Sequence, residues 1–171
     1  VGPLAATRIL LRLAQVPQPR SIGVATFFNA VPIQFGRAAA KLSLVPDQDA
    51  RERHGDTYRD DLVARLREGP LRFRVRAQLY TDERRTPIES ASIAWRGAFH
   101  DVAVLELARQ DVTSTNGAAI DALVDELAFN PWHGIAPHKP LGKTQRARVD
   151  AYRASARQRG ATSEPTSVLG V

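Results

Sequence analysis

The stretch LRFRVRAQLY at residues 71–80 constrains the fold of this chain more than any other part of it. Apolar side chains occupy every second position from Leu71 to Leu79, and three arginines and a glutamine fill the positions between them. Successive side chains of a β-strand point to opposite faces of the sheet, so this alternation predicts a strand. One face of that strand lies in a core and the other in water.

Other stretches predict the remaining elements. β-Branched or alternating residues predict strands over 22–29, 37–45 and 99–107. Apolar residues at helical spacing predict helices over 4–16, 57–68 and 118–129, and an Ala- and Arg-rich stretch without Gly or Pro predicts a long helix over 143–159. Turns are predicted at 32–36 and at 115–117. Together these elements predict an α+β domain of antiparallel strands, with helices mostly toward the C-terminal end.

Composition excludes several classes of site. The 171 residues contain no cysteine, which excludes disulfides, thiol catalysis and Cys-ligated metal centres. No apolar run approaches the roughly 20 residues of a membrane span, and no signal peptide is visible, so we expect a cytoplasmic protein without membrane contact. The sequence also lacks methionine, even at position 1, which predicts a fragment or a processed piece of a longer protein.

The positive charge is concentrated in one stretch. The net charge of the chain is +6, from 24 basic and 18 acidic residues. Residues 139–159 hold seven basic residues and one acid, which leaves 17 of each sign elsewhere (24 − 7 and 18 − 1). The potential therefore belongs to the predicted basic helix, and its partner could be nucleic acid, an acidic lipid surface or an anionic cofactor.

A single tyrosine, Tyr152, lies in the middle of this basic helix. Arg148 precedes it by four residues and Arg159 follows it by seven, so all three share one face. A guanidinium held close to a phenol favours the phenolate, which is a hard oxygen ligand suited to ferric iron. Two other interpretations fit the same spacing: a packed aromatic among solvated arginines, or a basic helix that contacts phosphates. Spacing does not choose among these three.

Four segments of the sequence resemble haem-dependent catalases, and more closely the bacterial catalase-like haem-binding proteins. They are PIQFGRAAAKLSLVP (32–46), RFRVRAQLYTDERRTPIESASIAW (72–95), LAFNPWHGIAPHKPLG (127–142) and RVDAY (148–152). The last is the family's Arg-x-x-x-Tyr, and the third resembles its Phe-x-Pro segment near the haem. The resemblance covers most of residues 32–159, and the segments occur in the family's order.

The resemblance implies a cofactor and three site residues. Tyr152 would be the proximal ligand of ferric haem, Arg148 would donate a hydrogen bond to its phenolate, and Arg159 would face a haem propionate. Tyrosinate ligation is a known catalase feature. The implied activity is decomposition of hydrogen peroxide or reduction of organic hydroperoxides by the complete protein. The alternatives are a haem-binding relative without fast catalase activity, active on lipid hydroperoxides, and a non-enzymatic nucleic-acid-binding module, which ranks last.

The sequence departs from the family in its distal residues. Catalases use a distal histidine in the N-terminal half of the domain, and none of the four histidines here, His54, His100, His133 and His138, falls in that motif. We therefore assign no catalytic residue to this chain, and we predict Trp95 and Trp132 to be packing residues. About half of the family's eight strands are found.

The chain is thus predicted to be the second half of a catalase-type antiparallel β-barrel, whose partner would be the missing N-terminal half, with a homo-oligomer also compatible. Its parts would be an N-terminal helix and linker (1–21), barrel strands (22–110), a haem-proximal helical segment (111–160) and a loose tail (161–171).

Overall fold

The computed structural model describes residues 21–48 and 55–161. Within this part of the chain the fold is α+β, with an antiparallel sheet of five strands and three α-helices. This confirms the predicted α+β class, and the catalase-type barrel stays a prediction. The strands are β1 (Phe27–Phe28), β2 (Ile33–Phe35), β3 (Ala38–Pro46), β4 (Leu71–Leu79) and β5 (Phe99–Leu107), and the α-helices are α1 (Tyr58–Glu68), α2 (Thr115–Glu126) and α3 (Lys143–Gln158). The helix predicted over 4–16 lies outside the described residues.

β4, the strand with the strict alternation, lies at the centre of the sheet. The order is β1-β3-β4-β5, and β2 also pairs with β3, so β1 and β2 follow each other along the same edge. In the register of the sheet, Val75 of β4 is paired with Leu44 of β3 on one side and with Ala103 of β5 on the other. The register between β4 and β5 shifts between Val75 and Arg76, which marks a bulge. The sheet formed by the described residues is not closed into a barrel.

Three local predictions differ from the structure. The stretch 22–29 begins as a 3₁₀ helix (Ile22–Val24), and only Phe27 and Phe28 form a strand. Residues 33–35, predicted as a turn or bend, form β2 because Ile33 pairs with Ala40 of β3 at one edge. The segment 137–141 adds hydrogen bonds at the other edge of β2. The predicted turn at 115–117 is the first turn of α2, because the Ser114 side chain accepts a hydrogen bond from the Gly117 amide.

α1 packs against the beginning of β4 on one face of the sheet. Leu66 of this helix packs with Leu71 and Phe73 of β4, and all three are buried. The helix begins with a capping box, in which Thr57 and Asp60 each bond the other's backbone amide. This cluster forms the main apolar core of the described residues.

The other face of β4 carries its arginines, as the alternation predicts. They form ion pairs with acids on the neighbouring elements: Arg72 with Glu106 (2.7 Å), and Arg74 with Asp47 (2.7 Å) and Asp101 (3.5 Å). These pairs are at least one-third exposed, so each stabilises the fold by about 1 kcal/mol or less. This face of the sheet is therefore charged and exposed to water around Arg72 and Arg74.

No helix within residues 21–48 and 55–161 is long and apolar enough to cross a membrane.

Candidate functional site

The segment before α3 is hydrogen-bonded to the free edge of β2. The Gln34 amide donates to the Lys139 carbonyl (2.8 Å), and the Gly36 amide donates to the Pro137 carbonyl (3.1 Å). The Leu141 amide donates back to the Pro32 carbonyl (3.0 Å). These hydrogen bonds form a short antiparallel ribbon, which fixes the start of α3 against the edge of the sheet.

The first turn of α3 is fixed a second time, by the connection between β4 and β5. The Glu89 carboxylate accepts from the Lys143 amide (2.7 Å) and from the Arg146 guanidinium (3.1 Å). The hydrogen bond from Arg146, followed by that from Lys143, holds the pKa of Glu89 below its ordinary value of 4.5. A carboxylate at a helix N-terminus also complements the helix dipole. Gly142, the residue before the helix, adopts φ +85° and lies close to the Ile88 carbonyl.

Arg148 contacts Tyr152 as the four-residue spacing predicts. Its Nη2 donates a hydrogen bond to the Tyr152 Oη, and its guanidinium carbon lies 4.9 Å from the centre of the ring. The other terminal nitrogen, Nη1, donates to Oε1 of Gln145 (3.2 Å), whose side chain is buried. Gln145 therefore orients the guanidinium toward the phenol oxygen. The sequence analysis did not identify this third member, although it lies one turn before Arg148.

Tyr152 is half-buried and lines an open cleft of about 420 Å³. The opposite wall is the loop after α2, which contributes Phe129, Trp132 and His133. Phe129 is 58% exposed and Trp132 36% exposed, so two aromatic side chains are presented to the cleft and are not packed in a core. Trp132 thus differs from the prediction that it is a packing residue, whereas Trp95 is buried at 7% exposure, as predicted.

The arginines that line the cleft differ from Arg159, which the sequence analysis selected for a haem propionate. Arg159 is exposed, donates a hydrogen bond to the Leu127 carbonyl (3.3 Å) and does not line the cleft. Arg153 and Arg157, one and five residues after Tyr152 on α3, line it together with Tyr152. Arg159 is the residue that caps the end of α3, and its side chain contacts the start of the segment that follows α2.

The histidines are dispersed. His54 lies outside the described residues, and His100 is an exposed residue of β5. The ring of His138 stacks on Phe35 with centroids 5.6 Å apart. His133 lines the Tyr152 cleft, and its Nδ1 lies 3.1 Å from the Ala128 carbonyl. Among residues 21–48 and 55–161, no three His, Asp or Glu side chains gather into a metal-binding group.

No protein-family model matches this sequence, and no curated protein matches it.

Proposed function

We propose that this chain supplies the proximal side of a ferric haem site, in a catalase-like protein that decomposes hydrogen peroxide or reduces organic hydroperoxides. The observation that carries the proposal is the Arg148–Tyr152 contact at the wall of an open cleft that two aromatic side chains face. In this proposal Tyr152 is the iron ligand and Arg148 its hydrogen-bond donor.

The donor chemistry of the cleft fits ferric porphyrin. Tyr152 provides a phenol oxygen that receives a charge-assisted hydrogen bond from Arg148. The side-chain Oε1 of Gln145 accepts a hydrogen bond from Nη1 of Arg148 and so keeps the guanidinium oriented toward the phenol oxygen. A flat, apolar macrocycle would find aromatic surface in Phe129 and Trp132.

Positive charge at the rim suits the carboxylates of a porphyrin. Arg153 and Arg157 line the cleft, and an arginine fork matches a carboxylate with two parallel hydrogen bonds. Arg159 is a third candidate for the same role, since within residues 21–48 and 55–161 only its Nη2 is engaged, by the Leu127 carbonyl. We expect at least one of these three arginines to contact a propionate.

When bound, the haem supplies the iron that reacts with peroxide. This chain would hold the haem on one side: Tyr152 would present its phenol oxygen at a fixed position, and Arg148 would donate a hydrogen bond to that oxygen. The ribbon at residues 137–141 and the bonds to Glu89 fix the helix that carries both side chains. Proton transfer to and from peroxide needs a distal group, which we assign to a part of the complete protein beyond this chain.

The open edge of the sheet supports a larger barrel. β5 is the last strand of the sheet, and the side chains from His100 to Glu106 are all exposed. Val104 and Leu105, at 60% and 39% exposure, place apolar surface on both faces of this edge strand. An exposed, apolar edge strand is a template for further pairing. In the proposed catalase-type barrel, β5 pairs with a strand of the N-terminal half.

The experiment is a haem titration of the complete polypeptide, followed by the Soret absorption band. We expect Tyr152→Phe to shift or abolish the band, because phenylalanine has no ligand oxygen, whereas Tyr80→Phe, on the ring that packs against Trp95, leaves it unchanged. An unchanged spectrum in Tyr152→Phe would refute the ligand assignment. Oxygen evolution from hydrogen peroxide then separates a fast catalase from a relative that reduces organic hydroperoxides.

Nucleic-acid binding by α3 receives little support from the geometry. Arg146 bonds Glu89, Arg148 bonds Tyr152, and Arg159 bonds a backbone carbonyl, so each of these three cations already has a partner within the protein. Such a module would show steep salt dependence of DNA or RNA binding.

A further inference from the structure

The connection between β4 and β5 is long and yet firmly built. It spans residues 80–98, whereas hairpin connections between neighbouring antiparallel strands usually contain about two to five residues. Long connections of this kind that keep a fixed structure frequently carry a function. One part of this connection, Glu89, holds the start of α3, and the rest has no role in the Tyr152 cleft.

A buried threonine and an aspartate shape the first half of the connection. Thr86 is fully buried, and its hydroxyl accepts from the Thr81 amide (2.8 Å) and donates to the Asp82 carbonyl (2.8 Å). The Asp82 carboxylate accepts from the amides of Arg84 (3.0 Å) and Arg85 (2.8 Å). These bonds fix the backbone from which the two arginine side chains project.

Trp95 fixes the second half. Its ring is buried beside Tyr80 and its Nε1 donates to the Pro87 carbonyl (2.9 Å). The amide of the next residue, Arg96, donates to the Arg85 carbonyl (3.0 Å). The two halves of the connection are therefore joined at the point where Arg85 and Arg96 lie side by side.

The side chains of this joined region surround a second cleft, of about 570 Å³. Three exposed arginines line it, Arg84, Arg85 and Arg96, together with Ile93 and Ala94. It shares no lining residue with the Tyr152 cleft. Ile93 is 46% exposed, so the cleft combines three cations with a small apolar surface.

Among the residues that the structure describes, these three cations are paired with carboxylates less closely than the arginines of β4 are. Arg85 approaches Asp82 only to 4.0 Å, and within residues 21–48 and 55–161 neither Arg84 nor Arg96 forms an ion pair. Arg72 and Arg74 of β4, by contrast, each lie 2.7 Å from an acid, and Arg76 lies 3.2 Å from Asp101. The Asp82 carboxylate accepts hydrogen bonds from the backbone amides of Arg85 and Arg84. These bonds, that from Arg85 most of all, hold the pKa of Asp82 below its ordinary value.

We infer that this arginine cleft is a binding site for a phosphate group carried by a small organic molecule or by a phospholipid headgroup. A guanidinium matches two phosphate oxygens at once, and three of them suit a group with more than one negative charge. Ile93 and Ala94 offer contact to the organic part next to the phosphate. The inference is independent of the haem proposal, because the two clefts have no residue in common.

The test is calorimetric titration of the protein with inorganic pyrophosphate and with glycerol phosphate, and a parallel flotation assay. The flotation assay uses vesicles of phosphatidylcholine with and without phosphatidic acid. We expect binding of at least one phosphate source to weaken by about tenfold or more in the double variant Arg84→Gln/Arg96→Gln. Binding of a soluble probe without binding to vesicles identifies the ligand as a small, soluble phosphate compound. Binding only to vesicles that contain phosphatidic acid identifies it as a phospholipid headgroup.

The control removes the same charge elsewhere. Arg37→Gln/Lys139→Gln changes two exposed cations outside the cleft and lowers the net charge by the same amount. We expect this variant to bind as the unaltered protein does. Equal loss in both double variants, or no binding of any of these phosphate probes by the unaltered protein, would overturn the inference.

Discussion

Gly142 provides a quantitative test of how α3 is held. Its backbone has φ +85° and ψ 160°, a region that glycine alone occupies readily, and a Cβ placed there would lie 2.7 Å from the Ile88 carbonyl oxygen. A non-glycine residue in such a region costs about 1–3 kcal/mol, and overpacking against fixed atoms adds about 1–3 kcal/mol. We therefore expect Gly142→Ala to lower the free energy of unfolding by about 3 kcal/mol.

Two other glycines separate the backbone effect from the contact. Gly36 has φ +61°, and a Cβ added to it would meet no atom within 4 Å, so Gly36→Ala reports the positive φ alone, at about 1–2 kcal/mol. Gly134 has neither a positive φ nor a close neighbour, and Gly134→Ala should change stability by about 0.5 kcal/mol or less.

Urea unfolding followed by circular dichroism measures all three variants. For a urea dependence of about 2 kcal/mol per molar, Gly142→Ala should lower the midpoint by about 1.5 M. A midpoint equal to that of Gly36→Ala would show that the approach of Gly142 to the Ile88 carbonyl does not constrain the helix. The contact between Gly142 and Ile88 would then not contribute to the position of α3 and of Tyr152.

Two further predictions concern the core and the pH dependence. Phe73→Ala removes a ring that is 4% exposed and packs with Leu66 and Leu71. We expect it to lower the free energy of unfolding by about 3–5 kcal/mol in the same urea assay. A decrease below about 1 kcal/mol would contradict the assigned core. Because the folded-state pKa of Glu89 lies below its ordinary value of 4.5, its stabilising effect is fully present above pH 4.5 and is lost as the pH falls through the folded-state pKa. Glu89→Gln should therefore be less stable than the unaltered protein at pH 7 and should approach it in stability near pH 3, whereas an equal difference at both pH values would contradict the role of the carboxylate.

The sequence predicted β4 and α1 because their patterns are complete within each element. The alternation of 71–80 and the spacing of Leu62 and Leu66 both follow from a single buried face, and no distant partner is needed. β2 was not predicted, since three residues pair as a strand only when Ala38–Pro46 and the distant segment 137–141 lie on either side.

The start of α2 was missed because of Gly117. Glycine disfavours helix interiors, so Thr-Asn-Gly is typical of a turn. In the structure a Cβ at Gly117 would clash with the Val112 carbonyl oxygen, so the close approach of the backbone requires glycine inside the first helical turn. That contact depends on the preceding loop and leaves no trace in the local pattern.

The candidate site divides in the same way. The contact between Arg148 and Tyr152 follows from helix geometry, since residues four apart lie on one face. The facing wall, with Phe129, Trp132 and His133, depends on how the loop after α2 returns toward α3. The local signal for that wall was the FNPWH stretch, in which aromatic residues flank a proline in a loop, and its distance from Tyr152 along the sequence concealed the pairing.

The central claim, that Tyr152 binds haem iron through its phenol oxygen, is tested most directly by resonance Raman spectroscopy of the ferric haem complex, with the protein's tyrosines labelled by ring deuteration. The account predicts isotope-sensitive phenolate vibrations in the unaltered protein and in Tyr80→Phe, and their loss in Tyr152→Phe. A ferric complex without phenolate vibrations, or one that keeps them in Tyr152→Phe, would contradict it.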